Sequence, residues 1–198
     1  MDIVSKDAVI SFFNSMAPKW DAMEDNRESV TEAILSEIGD LKGKNVLDVA
    51  CGTGYMIPYY LKHKALSGTG IDISEGMLEI AKKKYAGNEQ VHFNLCDAEN
   101  FTSQEKYDVC VIYNAFPHFE DKGKVLSNLS KCMNKGGLIA ICHGAGRRVI
   151  DNCHKNSAAH VSTLLPSDDE LKALLNEHFR FENYISNEDM MFFKGKKV

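Results

Sequence analysis

The sequence predicts an α/β fold: an open, mostly parallel seven-stranded sheet between two layers of helices, ending in an antiparallel hairpin. Three observations carry this. Short β-rich runs alternate with helical periods along most of the chain. Runs such as Val109-Cys110-Val111-Ile112 are apolar throughout, as strands of a parallel sheet covered on both faces must be. At the C-terminal end two β-like runs flank the short polar stretch Ser186-Asn187-Glu188-Asp189, a hairpin signature.

Residues 5–16 place Ala8, Val9, Phe12, Phe13 and Met16 at helical spacing, and residues 27–39 do the same with Val30, Ile34, Leu35 and Ile38. Two helices therefore precede the first strand, 44–50, which enters a glycine turn and a helix over 55–63. The pattern recurs as strand 68–73, helix 75–85, strand 91–95 and strand 107–113. A helix over 122–133 stops at Gly136-Gly137 before strand 138–142. Helical segments near 144–156 and 168–177 lead to the terminal strands 179–185 and 190–193.

A chain of 198 residues supports one domain with one sizeable core. With 44% hydrophobic and 26% charged residues, 14 Gly and 4 Pro, the composition excludes collagenous, disordered and disulfide-scaffold classes. A net charge of −5 provides no field for holding a polyanion, so a nucleic-acid partner is not expected. No run approaches the roughly 18–20 apolar residues of a membrane span, and Met-Asp-Ile-Val-Ser-Lys lacks the layout of a signal peptide. The six cysteines are scattered without a Cys-x-x-Cys pair, which reads as reduced core thiols in a cytoplasmic protein.

The stretch Val46-Leu47-Asp48-Val49-Ala50-Cys51-Gly52-Thr53-Gly54 is the most informative. In an open α/β sheet the loop leaving the first strand lies where the strand order reverses. Glycines there let a ligand approach the backbone, and the following helix offers its N-terminus to an anion. An ordinary strand-to-helix turn is the plain alternative. A dinucleotide fingerprint would need a third glycine at position 57, which is Ile57, and no Gly-Lys-Ser/Thr of a P-loop follows.

This stretch resembles the first motif of the class I S-adenosylmethionine-dependent methyltransferases, an acidic residue followed by a Cys-Gly-x-Gly loop after an apolar strand. The resemblance extends along most of the chain. Asp72, in Gly70-Ile71-Asp72-Ile73-Ser74, stands 18 positions after Gly54, where a carboxylate can accept both ribose hydroxyls. Cys96-Asp97-Ala98-Glu99 follows the third strand; in the family the acidic residue there bonds the adenine amino group and the next N–H meets the ring. Tyr113 to Phe119 follows the fourth strand, where the family places groups near the methionine part and the sulfonium. Residues 12–21 (Phe-Phe-Asn-Ser-Met-Ala-Pro-Lys-Trp-Asp) look similar to the ubiquinone and menaquinone biosynthesis methyltransferases.

What the resemblance implies is a Rossmann-like three-layer α/β/α sandwich that binds S-adenosylmethionine and releases S-adenosylhomocysteine. The implied cofactor contacts are Trp20, Asp48, Ala50, Cys51, Gly52, Thr53, Gly54, Asp72, Ile73, Met77, Asp97, Ala98 and Asn114. One domain over 1–198 would divide into helices forming a lid (1–40), a cofactor core (41–143) and a substrate side (144–198). Trp20 is either a lid aromatic or a plain core tryptophan. The expected activity is in-line methyl transfer to a small-molecule acceptor. The alternatives are a non-catalytic adenosylmethionine-binding scaffold and a nicotinamide-dependent oxidoreductase; the latter lacks a Tyr-x-x-x-Lys pair, since Tyr59 and Lys62 are too close.

Methyl transfer needs alignment and, for a protonated nucleophile, a base. Two segments offer one. His118 is either that base or a packed capping residue, and Asn114-Ala115-Phe116-Pro117 lacks the Asn/Asp-Pro-Pro-Tyr/Phe sequence of exocyclic-amine methylation. If the chain turns helical directly after Cys142, then His143, Arg147, Ile150, Asp151 and His154 share one face. That face either roofs the acceptor pocket, with Arg147 holding an anion and His143 acting as base, or simply faces solvent. A metal held by His143, Cys153 and His154 would match no standard zinc spacing, and none is expected.

Overall fold

A computed structural model describes residues 5–23, 28–156 and 158–198. Residues 1–4, from the leader reading, and Arg27, from the second predicted helix, lie outside them. Helices α1 (Lys6–Met23) and α2 (Glu28–Ile38) precede β1 (Asn45–Val49). There follow α3 (Ile57–Lys62), β2 (Ser67–Asp72), α4 (Glu75–Lys84), β3 (Val91–Leu95), β4 (Tyr107–Tyr113), α5 (Lys122–Lys131) and β5 (Met133–His143). The chain ends with α6 (Arg147–Lys155), α7 (Asp168–Asn176), β6 (Arg180–Ser186) and β7 (Met191–Lys196). Single 3-10 turns occupy Ala98–Asn100, Phe116–His118 and Ala159–Val161.

Helix starts follow local chemistry. Ser74 caps α4 by accepting from Met77 N, and Lys82, Lys83 and Lys84 meet the negative end of its dipole. Ser167 and Glu170 form a reciprocal capping box on α7, with Asp168 and Asp169 in its first turn.

The seven strands lie in the order β3-β2-β1-β4-β5-β7-β6. β1 pairs in parallel with β2 and β4, while β7 runs antiparallel between β5 and β6. The order reverses between β1 and β4, which leaves a crevice beyond their carboxyl ends. Alternate residues serve opposite cores. Leu47, Val49, Ile112, Ile139 and Ile141 pack with Leu126, Leu129, Leu171 and Leu175 from α5 and α7. Val46, Val111, Ala140 and Cys142 pack with Ile34, Leu35 and Ile57 from α2 and α3. Each fully buried leucine in these layers contributes about 1.5–3 kcal/mol, and burial on both faces explains the unbroken apolar runs.

β7 runs to Lys196, three residues past its expected end, along β5, and three further departures bear on the site. β5 begins at Met133 and runs through Gly136-Gly137, because Met133 pairs with Tyr107 and Gly136 N donates to Lys197 O. α1 continues through Pro18 to Met23, which brings Trp20 onto the helix. α6 starts only at Arg147, after a bend at 144–146, so His143 is the last residue of β5 and not part of a helical face.

Candidate active site

The glycine loop turns sharply at the end of β1. Ala50, Gly52 and Gly54 have φ of 56°, 55° and 83°. Ala50 adopts this left-handed conformation without the freedom of glycine, at a cost of about 1–2 kcal/mol. At Gly54 a side chain would come within 2.9 Å of the Tyr85 ring. The loop is fixed from outside: Tyr85 Oη donates to Gly54 O at 2.8 Å, and Thr53 Oγ1 donates to Asp21 Oδ1 at 2.6 Å.

Asp72 closes β2 beside this loop. Its Oδ2 accepts Gly52 N–H and its Oδ1 accepts Ser74 N–H, each at 2.8 Å. Burial pushes its pKa up, opposed by these backbone donors. The Ile73 N–H also favours the charged carboxylate. Asp97 follows β3; its Oδ1 accepts Glu99 N–H, and its Oδ2 accepts from Asn100 Nδ2 and from Lys6 Nζ at 2.7 Å. Lys6 also lies 2.8 Å from Glu99. Burial works against the Lys6 charge, but the two carboxylates outweigh it and raise its pKa.

Beyond β4, Asn114 is left-handed with φ of 54°, and its Oδ1 accepts Gly144 N–H. His118 donates Nδ1–H to Val161 O at 2.8 Å. Burial first, then repulsion from His154 and Lys122, lowers its pKa to about 4 despite that bond.

These groups surround one cleft of about 1050 Å³, its open mouth included. Of the residues expected from the sequence, Trp20, Asp48, Ala50, Cys51, Gly52, Asp72, Ile73, Met77, Asp97, Ala98, Asn114 and His118 line it. Thr53 and Gly54 shape the loop from behind. Lys6, Val9, Phe13, Tyr55 and Tyr113 also reach the wall. The α1 contributors are spaced 6, 9, 13 and 20, a helical stripe that the sequence displays without saying what it faces.

His143 and Arg147 are not brought to this cleft. The period-two alternation of β5 turns His143 inward with Ile139 and Ile141, where burial lowers its pKa to about 3 and Nε2 has no partner among the described residues. Arg147 donates Nε–H to Asp168 Oδ1 at 2.9 Å and an Nη2–H to Pro166 O at 2.8 Å, joining α6 to the start of α7. His154 pairs through Nδ1 with Ser162 Oγ. Among the described residues no group of three His, Cys, Asp or Glu could hold a metal ion, and no helix is long and apolar enough to cross a membrane.

A glycine loop and acidic strand ends around one switch-point cleft define a nucleotide-type α/β binding domain. A methyltransferase-domain family model matches residues 46–137. An O-methyltransferase of Aspergillus nomiae is 28% identical over 171 residues, covering 80% of this chain and 76% of that protein. A malonyl-acyl-carrier-protein O-methyltransferase of Ilyobacter polytropus is 29% identical over 142 residues, or 71% of this chain, which spans only 53% of that relative's length. A solved DhpI–SAH complex superposes with a TM-score of 0.79 at 17% identity, over 100% of this chain and 98% of that one; at that identity the likeness is one of fold. The chain is thus similar in sequence to methyltransferases, with the family match on residues 46–137, and similar in fold to a methyltransferase-type structure solved with S-adenosylhomocysteine.

Proposed function

We propose that this protein transfers a methyl group from S-adenosylmethionine to a small-molecule acceptor and releases S-adenosylhomocysteine. The observation that carries the reading is the convergence of Asp72, Asp97 and the glycine loop on one cleft at the switch point. The Asp72 carboxylate, set in the cleft wall at the end of β2, suits ribose hydroxyls. The Asp97 oxygens accept from Lys6, Glu99 N–H and Asn100, which leaves room for an adenine amino group. Ala98 N–H would meet the ring, with Ile73 and Met77 against its faces. Ala50, Cys51, Gly52 and Asn114 would border the methionine part, and Asp48 lies behind them. The bound donor supplies an electrophilic methyl on a sulfonium, a positive charge that suits an acidic wall.

The chain's own contribution is alignment and exclusion of water. Helix α1 acts as a lid: Val9, Phe13 and Trp20 cover the cleft from one helix face. Net charge and the absence of a basic stripe favour small-molecule over nucleic-acid acceptors, and six unbridged cysteines suit the cytoplasm. Calorimetric titration with adenosylmethionine, adenosylhomocysteine and NADH tests the reading. Micromolar binding of the first two and none of NADH is expected; binding of NADH alone, or of none, would refute it.

A further inference from the structure

We infer that Val161 is a positioning residue for His118: its carbonyl decides which ring nitrogen carries the proton, and its side chain ties that choice to the seating of α1. The inference rests on the methyl-transfer reading above and assigns the acceptor to a chemical class, one bearing a protic O–H or N–H group.

A carbonyl oxygen only accepts, so the 2.8 Å contact between His118 Nδ1 and Val161 O requires the proton on Nδ1. A neutral ring then presents Nε2 as a lone pair, and His118 is part of the cleft wall. The segment bearing Val161 is stitched to the His118 loop. Thr163 N donates to Pro117 O at 2.9 Å, and Lys122 Nζ donates to Thr163 Oγ1 and to Phe119 O. Ser162 Oγ donates to Ala158 O, so it accepts from His154 Nδ1–H, and the His154 ring meets His118 edge-on at 5.1 Å.

The same segment touches the lid. The fully buried Val161 side chain packs with Val9 of α1, with Phe12, Phe13, Ile73 and Ala158 around them. Phe13 also meets the His118 ring edge-on at 5.0 Å. Helix α1 therefore presses both the residue that sets the tautomer and the imidazole itself. Raising α1 would uncover Val161 and free the ring to turn; seating α1 fixes Nε2 as acceptor.

The proton balance follows. An acceptor hydroxyl or amine gives its proton to Nε2 while its own lone pair bonds the methyl carbon. The carbon–sulfur pair returns to sulfur, cancelling the sulfonium charge, and the imidazolium later releases its proton to water. Lys6 is the one lysine or arginine in the wall among the described residues, and Asp97 and Glu99 hold it. An anionic acceptor would find no unpaired cation there.

Long-range proton–nitrogen NMR of the ¹⁵N-labelled protein, saturated with adenosylhomocysteine, reads each histidine's tautomer. His118 is expected protonated on Nδ1 in the parent and mixed in Val9→Ala and Val161→Ala. In His118→Asn the amide still reaches the Val161 carbonyl but has no basic nitrogen. Its adenosylhomocysteine affinity should stay within about twofold, while turnover with a panel of phenols and amines and a labelled methyl donor falls about 100-fold or more. Protonation on Nε2, an unchanged tautomer in both alanine variants, undiminished turnover in His118→Asn, or methylation of benzoate in preference to every phenol and amine would each overturn the inference. Failure of the parent to bind adenosylhomocysteine would instead sink the methyl-transfer reading.

Discussion

Acidification to pH 5 should destabilise this protein markedly, and His143 should be a main cause. Burial holds His143 to about 3 and His118 to about 4 in the folded chain, against about 6.5 once unfolded. Both values are depressed, so the stability they confer is complete above pH 6.5 and is lost as pH falls toward the folded values. At pH 5 each ring is charged in the unfolded chain and neutral in the fold. That spans about 1.5 units at about 1.4 kcal/mol each, or about 2 kcal/mol per histidine. The pair together would remove about 4 kcal/mol, a large share of the 5–15 kcal/mol typical of a domain. Asp21 and Glu170 have lowered pKa values and withdraw their support only at more acid pH. Urea unfolding followed by circular dichroism at pH 8 and pH 5 gives the loss directly. In His143→Leu the difference should shrink by about 2 kcal/mol, and removal of an unpartnered buried nitrogen should leave the pH 8 stability intact or higher. An unfolding free energy flat from pH 8 to 5, or an equal fall in His143→Leu, would refute the reasoning.

Asp72→Ala should weaken adenosylmethionine binding by about 1–3 kcal/mol, the value of charge-assisted bonds to two hydroxyls; calorimetry checks it, and parent affinity would remove the ribose assignment. Arg147→Ala should lower the unfolding free energy by about 1 kcal/mol, since the Asp168 pair is partly exposed, and leave cofactor affinity unchanged. Gly70→Ala should destabilise by about 1–3 kcal/mol, because the new Cβ would lie 2.6 Å from Cys51 Sγ and 2.8 Å from the Phe93 ring; a melting temperature equal to the parent's would show that both neighbours yield.

The sheet was legible because its central strands β1 and β4 are short and buried on both faces and its loops are punctuated by Gly, Asp and Asn. The acidic strand ends were legible for a related reason: each lies next to the strand that positions it, so local sequence and local geometry coincide. Long-range pairing was not legible. Nothing near Gly136-Gly137 announces that Tyr107 and Lys197 extend β5 across it. His143 was misplaced because a helical stripe and a strand that runs one residue further send the same side chain in opposite directions. Arg147 found its partner at Asp168, 21 residues away, beyond any periodicity. The wall contributed by Lys6, Val9 and Phe13 shows as an amphipathic stripe, but only the fold says that the stripe faces the cleft.

Helix α1 is fastened at three places. Lys6 bonds Asp97 after β3, Asn14 accepts from Ser74 and Gly76 after β2, and Asp21 accepts from Thr53 after β1 and from Lys84. Over 18 residues, about 27 Å, one rod visits three adjacent strand ends in succession. Such a fastening is cheaper to unzip from one end than to lift whole. Loosening any one of the three clasps is then expected to quicken the exchange of a bound molecule, and tightening one to slow it.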